Sequence, residues 1–472
     1  MLFNSVEFGL FFPLVFLVYW LIPNKLKLQN YLLLIASYFF YAWWDWRFLG
    51  LIIFSSTVDY LLALGIEKFR EQNLKLSRLY LNISLATNLG LLGVFKYFNF
   101  FADSFVDLAF LFGLEVDSVT LNIILPVGIS FYTFQTMSYS IDVYRGNFKA
   151  TKDVVTFFTY VSFFPQLVAG PIERARELIP QIKRKRVFEI EEFKSGIIQI
   201  VIGLFRKMVI ADNLGVYVDM VYQNPENYGG GSLVLATVFY GFQIYYDFSG
   251  YSDIAIGTAK LLGFNFNRNF NLPYFSKSVT EFWRRWHISL SSWLKDYLYI
   301  SLGGNRRGVV LQIRNLFITM LLGGLWHGAS WNFVIWGGIH ASFLAMEKVV
   351  NIEKINQGYS KYLWWFYTML VVFFAWIFFR AQTSQDAFSV ISGIAVGDFN
   401  NIYLGSLISF YSGISMLIIG LAFDLYLFKS NQALEDLGRG MSLLKFVFIV
   451  TIFVNLIVLF YSSSENFIYF QF

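Results

Sequence analysis

"NLFITMLLGGLWHGASWNFVIWGGIHASFLAM", residues 315–346, contains no lysine, arginine, aspartate or glutamate, yet holds two of the chain's three histidines. Arg284, Arg285, Arg306, Arg307 and Arg314 precede it, and Lys348 and Lys354 follow it. Excess Lys and Arg mark the cytoplasmic side of a membrane segment, so both flanks belong to one face. The stretch therefore predicts a hairpin, with arms 315–326 and 331–346 and His327 at its turn, deep in the membrane or near its outer face. Irregular backbone at such a depth is tolerated only where it is buried in protein or lines a watery cavity. His327 is accordingly expected to face a cavity.

The rest of the chain has the same character. Of 472 residues 57% are hydrophobic, 21% aromatic and only 14% charged, against roughly 25% charged in soluble domains. A helical crossing takes about 20 residues, and spans are expected near 8–22, 31–46, 48–66, 79–98, 121–143, 194–222, 232–250, 361–380, 404–428 and 443–462. No polar stretch is long enough to bury a core of its own. The fold class expected is an all-α polytopic membrane protein, residues 1–472 forming a single integral domain with a core at about 150–350. The first helix lacks a basic n-region and a small-residue cleavage site, so it reads as a membrane helix and not a signal peptide. With no cysteine, disulfides, thiolate catalysis and S-palmitoylation are excluded. The net charge of +5 sits in loops between apolar segments, which argues against a nucleic-acid partner.

Lys25, Lys27, Lys68, Arg70, Lys75 and Arg78 put the first loops in the cytoplasm and both termini outside. The segment 153–172, "DVVTFFTYVSFFPQLVAGPI", has basic residues on both sides and helix breakers at Pro165, Gly170 and Pro171. It is expected to enter the membrane and return, as is 287–346. The count is ten crossings and two re-entrant or interfacial pieces.

Each candidate for chemistry has a plain alternative. His327 is either a packed histidine bonded to a helix carbonyl or a general base, since ionisable groups inside a membrane mark functional sites by default and burial keeps an imidazole neutral. His287, in "TEFWRRWHISLSSWLKDYLY", falls beside a helical stripe of Trp286, Leu290, Trp293 and Tyr297. That pattern suits an interfacial amphipathic helix with Arg284, Arg285 and Lys295 reaching to headgroups, and His287 need not join the buried stripe. His340 reads as a supporting or structural residue. Asp247 and Asp253, in "QIYYDFSGYSDIAIG", have three uses open to them: orienting a histidine, lining a cavity or pairing with an arginine. "LGGNRRG", 302–308, is a basic loop able to meet lipid phosphates or those of a cytosolic donor. No P-loop, dinucleotide fingerprint, HExxH or G-x-S-x-G motif occurs, and no metal site is expected.

"FFPQLVAGPIER" (163–174), "QIYYDFSGYSDIAIG", "FNLPYFSKSVTEFWRRWHISLSSWLKDYLYISLGGNRRG" and "LLGGLWHGASWNFVIWGGIH" resemble the signature blocks of bacterial membrane-bound O-acyltransferases, the MBOAT superfamily. The likeness extends over nearly the whole chain and is strongest to the alginate O-acetylase branch. It implies a ring of helices around a thinned, funnel-like centre. It implies catalytic roles for His327, in the W-H-G block, and His287, in the W-H-I-S block. It further implies a cytosolic thioester donor, acetyl-CoA in this branch, and an acceptor at the outer face of the bacterial cytoplasmic (inner) membrane. Periplasmic esterase-like partners would complete transfer to a polysaccharide. Asn305, Arg306 and Arg307 are the candidates for contact with the donor's phosphates. The expected activity is O-acetylation of an alginate-like exported polysaccharide, with peptidoglycan O-acetylation and teichoic-acid D-alanylation as alternatives. A transporter using the histidines as a proton relay would favour inverted repeats, and none is visible. A scaffold for a periplasmic acetyltransferase would tolerate loss of the histidines.

Overall fold

The computed structural model describes residues 1–22, 25–117, 119–168, 170–306, 308–350, 360–462 and 467–468. Arg307 and Lys354 lie outside them. The described residues form helices and connecting loops and fall into two compact units, residues 1–188 with 262–266, and residues 189–261 with 267–472.

Seven helices among the described residues are long and apolar enough to cross a membrane: Trp46–Arg70, Leu74–Leu111, Val309–His327, Trp331–Val350, Ser360–Arg380, Leu407–Ser430 and Leu443–Phe460. Five of these match expected spans. The other two are the arms of the expected hairpin, each long enough for a full crossing and not for a re-entrant dip alone. Leu443–Phe460 has no fully buried residue and packs through one half-buried face, with Phe453 meeting Phe205 at 5.2 Å.

The remaining expected spans depart from that pattern for identifiable reasons. Val6–Trp20 and Leu26–Ala42 are shorter than a full crossing. The segment 121–128 is not helical, and the helix begins only at Ile129, after a left-handed Gly128. The stretch 153–172 holds two short helices, Val154–Ser162 and Phe164–Leu167, broken at Phe163. The expected span 194–222 carries Arg206 and Lys207 at its centre, on a π-helical turn, Phe205–Ala211, that joins Ile190–Leu204 to Asp212–Gln223.

In the first unit, the fully buried Asp59 is held without a cation: Ser84 Oγ donates to it at 2.5 Å and Asn88 Nδ2 at 2.8 Å. That contact ties together the helices Trp46–Arg70 and Leu74–Leu92.

The second unit is organised around Gly230–Leu261, a 32-residue helix buried along most of its length. It runs antiparallel to Ile190–Leu204 at contact distance because glycines oppose each other. A Cβ on Gly250 would stand 2.6 Å from the Gly203 carbonyl oxygen, and one on Gly257 2.7 Å from that of Gly196. Small residues let helix backbones approach in this way. The hairpin uses the same device, since a Cβ on Gly324 would overlap the Phe333 carbonyl and one on Gly337 that of Met320. Gly324 of "LLGGLWHG" and Gly337 of "VIWGG" thus serve helix packing.

Candidate active site

Both candidate histidines lie in the second unit. His327 is the last residue of the helix Val309–His327 and is buried. Gly328 follows in an extended conformation and the next helix starts at Trp331. The imidazole is walled by rings, with Trp326 and Trp336 at 5.1 Å and Phe379 at 5.3 Å between centroids.

The segment around His287 is not the single amphipathic helix its stripe suggests. Helix Val279–Arg285 starts firmly: Ser278 Oγ accepts the Glu281 N–H, and the Glu347 carboxylate accepts the N–H groups of Val279 and Thr280. It then stops. Trp286 is extended, His287 is left-handed at φ 41°, and a new helix runs from Ile288 to Trp293 before a π-helical segment, Leu294–Tyr299. A non-glycine residue in the left-handed region is strained and needs outside support. Backbone bonds from the 269–271 segment supply it: Asn271 N–H donates to Arg285 O at 2.9 Å, and Ile288 N–H to Asn269 O at 2.8 Å. The stripe itself is buried as expected. So is His287, which the helical periodicity left outside it. Arg284 and Lys295 are exposed, whereas Arg285 is tied to Glu281 at 2.9 Å and to the Asn271 carbonyl at 3.1 Å.

This break brings residues 287 and 327 together. Their ring centroids are 6.5 Å apart. Phe248 of the central helix meets His287 edge-on at 4.7 Å, and Phe270 stacks at 6.3 Å. The His287 imidazole is buried among these rings, and such surroundings favour its neutral form. Its Nδ1 lies 3.1 Å from Asn269 Oδ1. His340 occupies the far side of Trp336, 4.9 Å from that ring, and its Nδ1 accepts from Trp283 Nε1 at 3.3 Å. The three histidines are therefore connected through ring contacts, His287 to His327 and both His327 and His340 to Trp336.

The acids of the central helix do not reach the histidines. Asp253 pairs with Arg206 at 2.6 Å, and Arg206 also pairs with Asp424 at 2.6 Å. Tyr245 and Tyr246 each donate to Asp424 at 3.1 Å. Asp247 pairs with Lys207 at 2.9 Å, and Lys207 with Asp212 at 2.6 Å. Pairing with a cation is thus what both acids do, one with arginine and one with lysine. Asp247 also accepts the Ile468 N–H at 2.8 Å, and Phe467 stacks on Tyr251 at 4.4 Å behind Phe248. The residues 467–468 close the back of the site.

The basic loop stands elsewhere. Asn305 and Arg306 are exposed, and the loop is tied to the start of the His327 helix by Asn315, whose Nδ2 donates to Gly304 O at 2.9 Å. His327 ends that same helix, about 18 Å along its axis from Asn315 at 1.5 Å per residue.

Comparison with known proteins supplies the chemistry. Residues 151–382 match the model of the membrane-bound O-acyltransferase family, a range that includes all three histidines. The probable alginate O-acetylase AlgI of Azotobacter vinelandii is 43% identical over 412 residues, 86% of this chain and 81% of the relative. The chain belongs to the membrane-bound O-acyltransferase family. Within this family, the peptidoglycan O-acetyltransferase of Helicobacter pylori is 36% identical over 84% of the chain and 80% of its own length. The teichoic acid D-alanyltransferase of Bacillus subtilis is 29% identical over 51% of the chain and 62% of its own length. The protein is a multi-pass membrane O-acetyltransferase, similar to the alginate O-acetylases.

Asn269, Ser289, Arg206, Lys207, Asp424 and Glu347 went unmarked in the sequence reading. The charged ones had a visible signal, because each interrupts or ends an otherwise apolar run.

Proposed function

We propose that the enzyme takes an acetyl group from a cytosolic thioester, acetyl-CoA, and delivers it to the outer face of the bacterial inner membrane for O-acetylation of an exported, alginate-like polysaccharide. A periplasmic esterase-like partner would complete the transfer. The observation that carries this reading is the His327–His287 pair, 6.5 Å apart in an aromatic enclosure. His327 acts as general base, with His287 supporting it or positioning the acyl carbonyl. The acceptor's O–H proton passes to an imidazole nitrogen, the new C–O bond forms at the acyl carbon, and the C–S bond breaks. The thiolate leaves with that proton. Apolar, ring-walled surroundings suit such a base, which typically contributes about 10²–10⁴-fold in rate. The chain has no cysteine, so an acyl-thioester on the enzyme is excluded. Asn305, Arg306 and Arg307 are proposed to meet the donor's phosphates.

The test is transfer of label from [14C]acetyl-CoA in membranes holding wild type or His327→Ala at matched levels, with the genomic-neighbour partner present. Loss of transfer with the protein still folded is the expected result; retained transfer moves the chemistry to the partner. Offering alginate and peptidoglycan glycan as acceptors in parallel separates the two acceptor classes. The similarity to a peptidoglycan O-acetyltransferase supports the second.

A further inference from the structure

Three bonds fix the Asn269 side chain. Its Oδ1 receives the Ser289 backbone N–H at 3.3 Å and the Ser289 hydroxyl at 2.8 Å, and its Nδ2 donates to Ser252 Oγ at 3.1 Å. A backbone N–H can only donate, so the amide atom facing it is the oxygen; the flipped amide would oppose N–H to N–H. That same Oδ1 lies 3.1 Å from His287 Nδ1. Ser289 Oγ also lies 3.4 Å from Nδ1, but its hydroxyl hydrogen is engaged on Asn269 Oδ1 at 2.8 Å; an amide oxygen has no proton to give, so the hydrogen of the Asn269 contact belongs to Nδ1. In a neutral imidazole, Nε2 is then left bare. His340 is held the other way round. Trp283 Nε1 is only a donor and points at His340 Nδ1 from 3.3 Å, which puts the His340 proton on Nε2.

We propose that Asn269 is a positioning residue that locks His287 as the Nδ1–H tautomer, so that Nε2 can only accept a hydrogen bond and does not hold the acyl carbonyl. The assignment rests on the acyl-transfer reading above and sharpens it. A bare Nε2 offers no donor to a carbonyl oxygen, so His287 faces a donor group of the acceptor while His327 takes the attacking hydroxyl's proton. The titratable groups around it are His327, in ring contact, and Asp247, next to Phe248 and paired with Lys207.

With only three histidines, the tautomers can be read directly. The full chain, labelled with [15N]histidine and placed in liposomes, would give three pairs of ring nitrogens in solid-state NMR, assigned through His287→Gln and His340→Gln. Expected are an Nδ1–H tautomer at His287 and an Nε2–H tautomer at His340. An Nε2–H or doubly protonated His287 at neutral pH overturns the proposal. Asn269→Asp then tests function. It keeps an acceptor oxygen at Nδ1 but adds a charge that favours imidazolium, so the acid limb of kcat/KM moves up by about one to three pH units. An acid limb that stays put, with His340 signals showing an intact fold, refutes the part given to His287. Wild-type transfer in both His327→Ala and His287→Gln would instead refute the catalytic reading, while the spectra would still judge the tautomer.

Discussion

The second unit buries two groups of ionisable side chains, and it keeps them by opposite means. Arg206 and Lys207 each sit between two aspartates at 2.6–2.9 Å. His287 and His327 are enclosed by the rings of Phe248, Phe270, Trp326, Trp336 and Phe379. A buried charge persists only with a partner close enough to offset its lost hydration. An imidazole avoids that cost by staying neutral, and a neutral imidazole can still take up a proton. The first arrangement consumes its charges in holding helices together. The second leaves proton-accepting capacity for a substrate. These two groups differ in kind, and the partner of each tells scaffold from chemistry.

The sharpest way to break this comparison is to remove one group of each kind and measure both activity and stability. His327→Ala should lower acetyl transfer by about 10²–10⁴-fold while the detergent melting temperature stays near that of wild type. A loss of less than tenfold would deny the histidine a chemical part. Arg206→Met should do the reverse. It leaves Asp253 and Asp424 without their shared cation, destabilising the fold by about 3–5 kcal/mol, with near-normal turnover per folded molecule. Unchanged melting in that variant would mean that the network is no scaffold.

Smaller effects sharpen the picture. Glu347→Gln replaces a charged cap on the Val279–Arg285 helix and should cost about 1–3 kcal/mol. Because that helix leads into the His287 turn, turnover should fall modestly as well; stability lost with full turnover would detach the cap from the site. Arg306→Ala should have the least effect, raising the donor's apparent KM a few-fold with kcat unchanged. An unaltered KM would remove the loop from donor binding.

Much of this was legible beforehand. Apolar runs and the placement of Lys and Arg pointed to an all-helical membrane protein with a hairpin bearing His327 at its turn, because lipid imposes those patterns on any spanning chain. His287 was legible only as a motif. Its stripe obeys helical spacing on both sides of residue 287, so periodicity alone drew one helix where the backbone turns left-handed. The break depends on Asn269 and Asn271, 14 to 19 residues earlier in the sequence than the groups they bond. The span 194–222 was drawn through Arg206 and Lys207 for a similar reason. Whether a charge is admissible in a buried helix depends on partners, and Asp424 lies more than two hundred residues away.

By itself, then, the sequence determined the solvent this protein lives in, its helical class, the absence of thiol chemistry and the residue types available to move a proton. Composition and local pattern suffice for these, since they follow from transfer free energies and helix geometry residue by residue. Only the tertiary structure decided that residues 287 and 327 share one enclosure, that the acids of the central helix belong to Arg206 and Lys207, and that Asn269 faces His287 with its oxygen. Each of these is a contact between distant segments. Hydrogen-bond direction and ion pairing exist only once the chain has folded to bring the partners within about 3 Å.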